Sequence, residues 1–272
     1  MPIFNSESTA QLAINSCLRA MPRDSELRVY DDASTDNTRN VLSRIDDSRV
    51  KTVFLPQNIG NGAVRRNILE DSDSEFIASM DADDITMPWR FRYQLSFMED
   101  QSKDACFTTT IRFGQRRIPR PSIPLSLNDN ESPIALLYFN PFTQPTAVLR
   151  RSAVDAVGGY RSLRRAQDYD LWLRLASAGH SLTRLPLQTL GYRLSATQVS
   201  QGALFAESVA NDPHLQHAYF ELASQLGVNL SSSSGMKEFL QSRLGRFRPA
   251  NRSYYSRKLD QGSYWSQTYG QL

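Results

Sequence analysis

Through the first 110 residues, short runs rich in β-branched and aromatic side chains alternate with stretches whose apolar positions recur every three or four residues. This is the pattern of βαβ units stacked into a mostly parallel sheet. ELRVYDD (26–32) reads as a strand, after which Ser34 or Thr35 is placed to cap a helix carrying Val41, Leu42 and Ile45 on one face. VKTVFLP (50–56) reads as the next strand and GAVRRNILED (62–71) as the next helix. EFIASMD (75–81) then reads as a strand that delivers Asp81, Asp83 and Asp84, with Pro88 suited to the first turn of the helix WRFRYQLSFMED. Open α/β sheets bind ligands beyond the carboxyl ends of their strands, which is where these acidic residues fall.

Residues 112–133 are rich in Arg, Pro, Ser and Asn and read as a long connection or a protruding hairpin. Periodicity returns from NPFTQPTAVLRRSAV to GYRLS, with a strand, a GGY turn and the strongly apolar helix DLWLRLASAG. SSSSG at 231–235 reads as a linker into a C-terminal tail. MPIFN resembles the end of a strand, so either the first strand is very short or the natural chain begins upstream.

Composition adds three constraints. The chain has 272 residues, 40% of them apolar and 22% charged, which suits a globular protein with one large core. No apolar stretch approaches the roughly 18 residues of a membrane span, and the N-terminus lacks a signal-peptide pattern, so a soluble, cytoplasmic chain is expected. Cys17 and Cys106 belong to no CxxC or Cys/His cluster and read as buried free thiols. The net charge of +3 is uneven: from Met236 onward seven Lys/Arg face two Asp/Glu, interleaved with Phe247, Tyr254, Tyr255, Tyr264 and Trp265. Such a tail either lies on an anionic membrane, at its inner face, or packs on its own protein.

Four groups of residues carry candidate chemistry. Asp81 and Asp83 form an Asp-x-Asp that either presents two carboxylates to one hard divalent cation or is a solvated acidic turn. Asp31 and Asp32, in a second acidic turn, can accept hydrogen bonds from a base or ribose. NIGNGAVRRN sets Arg65 and Arg66 near a helix start, suited to a diphosphate. In QDYDLWLRL, Asp168 and Asp170 lead into an apolar helix; they are either charges at a helix N-terminus or, for Asp168, a general base tuned by desolvation.

With these in order, the chain resembles the inverting family 2 glycosyltransferases over roughly residues 1–202. The resemblance rests on MPIFN, DDASTDNT, NIGNGAVRRN, MDADD, NPFTQPTAVLRR with VGGY, and QDYDLWLRL. It implies the GT-A fold, a Rossmann-like α/β architecture, with a nucleotide-sugar-binding half (1–110), an acceptor-binding half (111–202) and a C-terminal extension (203–272) of helical and irregular structure. It implies that Pro2, Phe4 and Glu7 line a nucleoside pocket, Asp32 faces the base, and Arg65 or Arg66 meets the diphosphate. Asp81 then approaches the ribose or metal, Asp83 is the main ligand of Mn²⁺ or Mg²⁺, and Asp168 is the catalytic base, with Gln167 beside it and Trp172 under the acceptor.

Gln167 replaces the family's usual Glu, while Gln144 and Ser195 stand where many relatives carry His. The implied reaction moves a sugar from a nucleotide-diphosphate sugar, with UDP first in line, to a saccharide or lipid-linked acceptor in cell-surface polysaccharide or lipopolysaccharide synthesis. No nucleic-acid partner is expected, and the oligomeric state is not legible. Two rivals remain: a nucleotidyltransferase, and a degenerate nucleotide-sugar-binding protein in which Gln167, Gln144 and Ser195 record lost chemistry.

Overall fold

The computed structural model describes residues 1–114, 118–195, 212–228, 238–239, 241–247 and 249–260. Strands β1 (Pro2–Ile3), β2 (Leu27–Asp31) and β3 (Val50–Phe54) form a parallel sheet in that order. Ile3 lies beside Asp31 and Asp31 beside Phe54, so three carboxyl ends share one edge. Helix α1 (Ala10–Ala20) buries Ala10, Ala13, Ile14 and Cys17 at the spacing of one helical face. Helix α2 (Thr38–Leu42) is shorter than its sequence suggests and starts after Asn37 rather than after Ser34 or Thr35. Those two residues are held elsewhere: the Asn5 amide donates to Ser34 Oγ at 2.9 Å, and the Thr35 amide donates to Asn5 Oδ1 at 2.8 Å. Helix α3 (Asn61–Glu70) follows β3.

The βαβ alternation ends there, and the expectation of a mostly parallel sheet is corrected by the second sheet. Strands β4 (Phe76–Ala78), β5 (Ile85–Thr86), β6 (Ala105–Gly114), β7 (Arg120–Pro121), β8 (Val148–Arg150) and β9 (Leu182–Leu194) run in the order β4-β8-β6-β9-β5, with β7 on β6. Only β6 and β9 pair in parallel; every other pair in this sheet is antiparallel. Neighbouring strands need not follow one another in sequence with a helical crossover, so alternation along the chain does not set their direction. Of the two readings of 112–133, the hairpin holds, since Ile111 pairs Pro121 and Arg112 pairs Arg120.

Helices α4 (Arg90–Asp100), α5 (Ser132–Tyr138), α6 (Arg151–Ala156), α7 (Gln167–Ser177), α8 (Pro213–Gln225) and α9 (Pro249–Asp260) complete the described chain. Leu171, Trp172, Leu173 and Leu175 of α7 are all fully buried, because the helix is enclosed by neighbours on several sides. Trp172 meets Phe107 edge-on with centroids 4.7 Å apart, and Phe107 stacks on Phe142 at 4.0 Å. Cys17 and Cys106 are buried and free. The buried Arg90 guanidinium spans β4 and α4, donating to the Ser79 carbonyl at 2.8 Å and to Gln94 Oε1 at 3.0 Å. Gln94 in turn donates to the carbonyls of Cys106 and Thr146.

In the described part of the basic tail the packed reading holds. Phe247 and Tyr255 are buried and stacked at 4.1 Å, both against Tyr138 of α5. Asn251 Nδ2 donates to the Ser126 carbonyl at 2.7 Å. The SSSSG linker, Tyr264 and Trp265 lie outside the described residues. No described helix is long and apolar enough to cross a membrane. Removing a buried aromatic ring costs about 3–5 kcal/mol. Phe247→Ala is therefore expected to lower stability in urea denaturation by roughly that amount, far more than a solvated tail residue would.

Candidate active site

The shared edge of β1, β2 and β3 is built by backbone and side-chain bonds between their loops. The Glu7 amide donates to Asp36 Oδ2 at 3.1 Å, and the Asn37 amide donates to Glu7 Oε2 at 2.8 Å. Asp31 is wholly buried and accepts from Arg39 Nε at 2.8 Å, so it supports the loop rather than facing a ligand. Asp32 accepts from the amides of Ile59 at 2.8 Å and Gly60 at 3.0 Å, which fixes the turn before α3. Pro2 is half-buried beside it, while Phe4 and Glu7 are exposed. Asn5, Ala33 and Ala166, three of the four described non-glycine residues with positive φ, lie in loops of this region. Such strain concentrates where surrounding structure over-determines a functional conformation.

The two candidate arginines part company. Arg65 is buried; it donates from Nε to Asn61 Oδ1 at 2.9 Å and from its terminal nitrogen to Asp81 Oδ1 at 2.6 Å. Arg66 is exposed and lies 3.9 Å from Glu70, one turn further along α3. Only Arg65 is brought to the other site residues.

Asp81, Asp83 and Asp84 occupy the turn between β4 and β5. The end of β9 clamps it: the Arg193 amide donates to Asp84 Oδ1 and Arg193 Nε to the Asp83 carbonyl, both at 2.8 Å. Asp84 therefore does not cap α4. Burial, then the Asp81 charge, raises both the Asp83 and Asp84 carboxyls above the usual range. The second oxygen of Asp84 is buried without a partner among the described residues, and Asp83 forms no ion pair among them. No group of three or more His, Cys, Asp or Glu able to hold a metal is present among the described residues. The turn offers instead the Asp83 carboxylate and, beside its contact with Arg65, that of Asp81, a donor chemistry suited to a hard divalent cation whose remaining ligands are phosphate and water. Ser195 directly follows β9, the strand that clamps this turn.

Asp168 and Asp170 have different surroundings although two residues apart. Asp170 is fully buried between Arg161 at 2.8 Å and Arg174 at 2.6 Å, a structural role. Asp168 is half-buried in the first turn of α7 and accepts from Asn140 Nδ2 at 3.0 Å. Burial raises its carboxyl above the ordinary range; the Tyr169 amide, Asn140 and the Arg65 charge act in the opposite direction. Gly62 brings α3 to this loop. A Cβ there would lie 2.5 Å from the Leu163 carbonyl oxygen and 2.6 Å from that of Arg161, too close for any other residue without movement.

The expected place of Trp172 beneath the acceptor is corrected: its indole is fully enclosed by the core and cannot touch a substrate. Gln167 is buried beside Asp168. Gln144 is buried and donates to Ser79 Oγ at 3.1 Å and to the Tyr160 hydroxyl at 2.9 Å. Asn140 and Tyr160 were not legible in sequence; an Asn before Pro141, closing a helix, carries no chemical signal until its partner is known. Asn140 also lines a cavity of about 580 Å³ between the β6–β7 hairpin and Tyr254.

The profile of glycosyl transferase family 2 matches residues 1–172, and the chain belongs to that family. The amylovoran biosynthesis glycosyltransferase AmsE of Erwinia amylovora is 28% identical over 209 residues, covering 73% of this chain and 76% of that protein. The UDP-Glc:alpha-D-GlcNAc-diphosphoundecaprenol beta-1,3-glucosyltransferase WfgD of Escherichia coli is 36% identical over 98 residues, 36% of this chain and 39% of its own. The structure of S. aureus TarS 1-349 in complex with UDP-GlcNAc superposes with a TM-score of 0.62 at 18% identity, covering 98% of this chain and 88% of that one. The architecture is thus GT-A.

The two aspartates of α7 should respond oppositely to substitution. Because the Asp168 pKa is raised on folding, its ionised form is less favourable in the folded chain; this destabilisation is absent below the unfolded pKa and complete above the folded one. Asp168→Asn is therefore expected to leave the melting temperature at pH 7 unchanged or higher. Asp170→Asn strips the buried Arg174 and the partly exposed Arg161 of their partner and is expected to cost about 3 kcal/mol, read by thermal or urea denaturation.

Proposed function

We propose that this family 2 glycosyltransferase inverts the anomeric centre of a UDP-sugar while transferring the sugar to a lipid-linked acceptor in surface-polysaccharide synthesis. The observation that carries the reading is the Asp168 carboxylate, held by Asn140 in the first turn of α7, with α3 and its buried Arg65 closed against the preceding loop at Gly62. The UDP-GlcNAc bound by TarS and the diphosphoundecaprenol acceptor in the name of WfgD support the choice of donor and acceptor class.

Phe4 and Pro2 flank the nucleoside at the β1 edge, and Asp32 orders the turn against which the nucleotide lies. Asp168 takes the proton of the acceptor hydroxyl as that oxygen attacks the anomeric carbon. The bond from that carbon to the diphosphate oxygen breaks, and the electron pair leaves with UDP. Attack opposite the leaving group inverts configuration, through a transition state of oxocarbenium character like that of glycosidases. Asn140 orients the Asp168 carboxylate, and Arg65 supplies positive charge on the diphosphate side. Asp83 with Asp81 would hold Mn²⁺ or Mg²⁺; such an ion neutralises charge growing on the leaving diphosphate.

UDP is expected to raise the melting temperature, with a further rise on adding Mn²⁺ that Asp83→Ala removes. Equal shifts for both proteins would take Asp83 out of the metal site. Asp168→Asn is expected to lose roughly 10²- to 10⁴-fold in transfer rate with UDP affinity retained; near-normal turnover would assign the base elsewhere. Release of UDP from UDP-sugars by the unaltered chain separates an enzyme from a binding protein.

A further inference from the structure

Across the β6–β7 hairpin, Arg112 and Arg120 stand directly opposite each other. Like charges at opposed positions of an antiparallel pair repel and weaken it. Neither arginine has an ion pair among the described residues, and both are exposed. They line the 580 Å³ cavity together with Arg184, and no Asp or Glu does so among the described residues. Arg184 is half-buried; it donates to the carbonyls of Leu125 at 2.7 Å and Pro141 at 2.5 Å, and the Glu131 charge reaches it from outside the cavity lining. Three guanidinium groups around one cavity, with no carboxylate in its described lining, form a donor set suited to an anionic ligand.

Two further features describe that ligand. Thr109, which is 5% exposed and lines the cavity, keeps a buried hydroxyl with no hydrogen-bond partner among the described residues. Ile118 and Ile123 flank Arg120 at 74% and 60% exposure, and Ile123 belongs to the cavity wall, so an apolar rim adjoins the cationic floor. Asn140, another lining residue, donates to Asp168. The cavity lining is thus one hydrogen bond, through Asn140, from the group placed to accept a proton.

We propose that this cavity holds the diphosphate of a prenyl-type lipid-linked acceptor, with Arg112, Arg120 and Arg184 on the phosphates and the lipid passing over Ile118 and Ile123. The phosphates then set the depth at which the acceptor sugar reaches Asp168. The inference rests on the acceptor half of the proposed function and assigns a recognition site to it. Arg112→Gln and Arg120→Gln are suitable probes because both side chains are exposed and outside the donor edge.

The test uses the full chain saturated with UDP, so that the donor edge cannot take up the probe. Geranyl diphosphate and inorganic pyrophosphate are titrated separately by calorimetry into the unaltered protein and into the Arg112→Gln/Arg120→Gln variant. Geranyl diphosphate is expected to bind the unaltered protein, and the variant to lose on the order of 10-fold or more in that affinity. UDP affinity is expected to stay the same, and the ligand-free variant to melt no lower than the unaltered chain, since a repulsive pair is gone. Weaker binding of pyrophosphate than of geranyl diphosphate supports the lipid; equal binding overturns the lipid assignment in favour of a free-phosphate site. Geranyl diphosphate binding that is absent, or unchanged in the variant, overturns the proposal. Failure of UDP to bind would instead count against the donor reading, which this cavity does not enter.

Discussion

One buried carboxylate organises the half of the molecule that carries the candidate base. Asp170, without solvent exposure, holds Arg161 on one oxygen and Arg174 on the other. Arg174 extends the clamp to the carbonyls of Val157 and Gly159, in the turn where Gly158 and Gly159 both adopt positive φ. A charge buried this way is retained only when its partners are fixed, so the pair ties α7 to the loop that precedes it. That loop carries the carbonyls of Arg161 and Leu163, against which Gly62 closes. Through these contacts a structural ion pair sets the distance between the parallel sheet and the first turn of α7.

The electrostatics of the site follow from that closure. Arg65 is held by Asn61 and Asp81, and its charge also favours ionisation of Asp168. Three aspartates crowd the β4–β5 turn, and β9 fixes two of them through Arg193. The turn thereby holds Asp83 close to Asp81 and Asp84, with Arg65 on one side and Arg193 on the other. Around the hairpin cavity the described charges are of the other sign, with Arg112, Arg120 and Arg184 in its lining. Asp168 is linked to the first region through the Arg65 charge and to the second through Asn140.

Composition leaves two readings of the tail open, and packing decides between them for its described residues. Basic and aromatic residues interleave in it as they do in membrane-binding segments, yet Phe247, Tyr254 and Tyr255 are spent on α5 and its neighbour Phe139. Aromatic rings bury large areas, so a surface of the same protein competes with any membrane for them. What the extension does contribute is Tyr254, which closes one wall of the cavity.

Much was legible in the sequence alone because local rules dominate there. Strands β2, β3 and β4, the acidic turns after β2 and β4, the buried thiols and the apolar helix after Asp168 all follow from periodicity, capping and composition. Other features depend on partners distant in sequence. The sequence could not separate Arg65 from Arg66, because both stand at the start of the same helix and only its packing buries one. Nor could it separate Asp168 from Asp170, since each carboxylate takes its character from residues such as Asn140 and Arg161 that other segments deliver. The mixed direction of the second sheet, the enclosure of Trp172 and the opposition of Arg112 to Arg120 are likewise tertiary facts. Strand direction, burial and charge pairing are set by long-range contacts, and these contacts turn a list of candidate residues into a site with a base, a buried cation and a place for an anion.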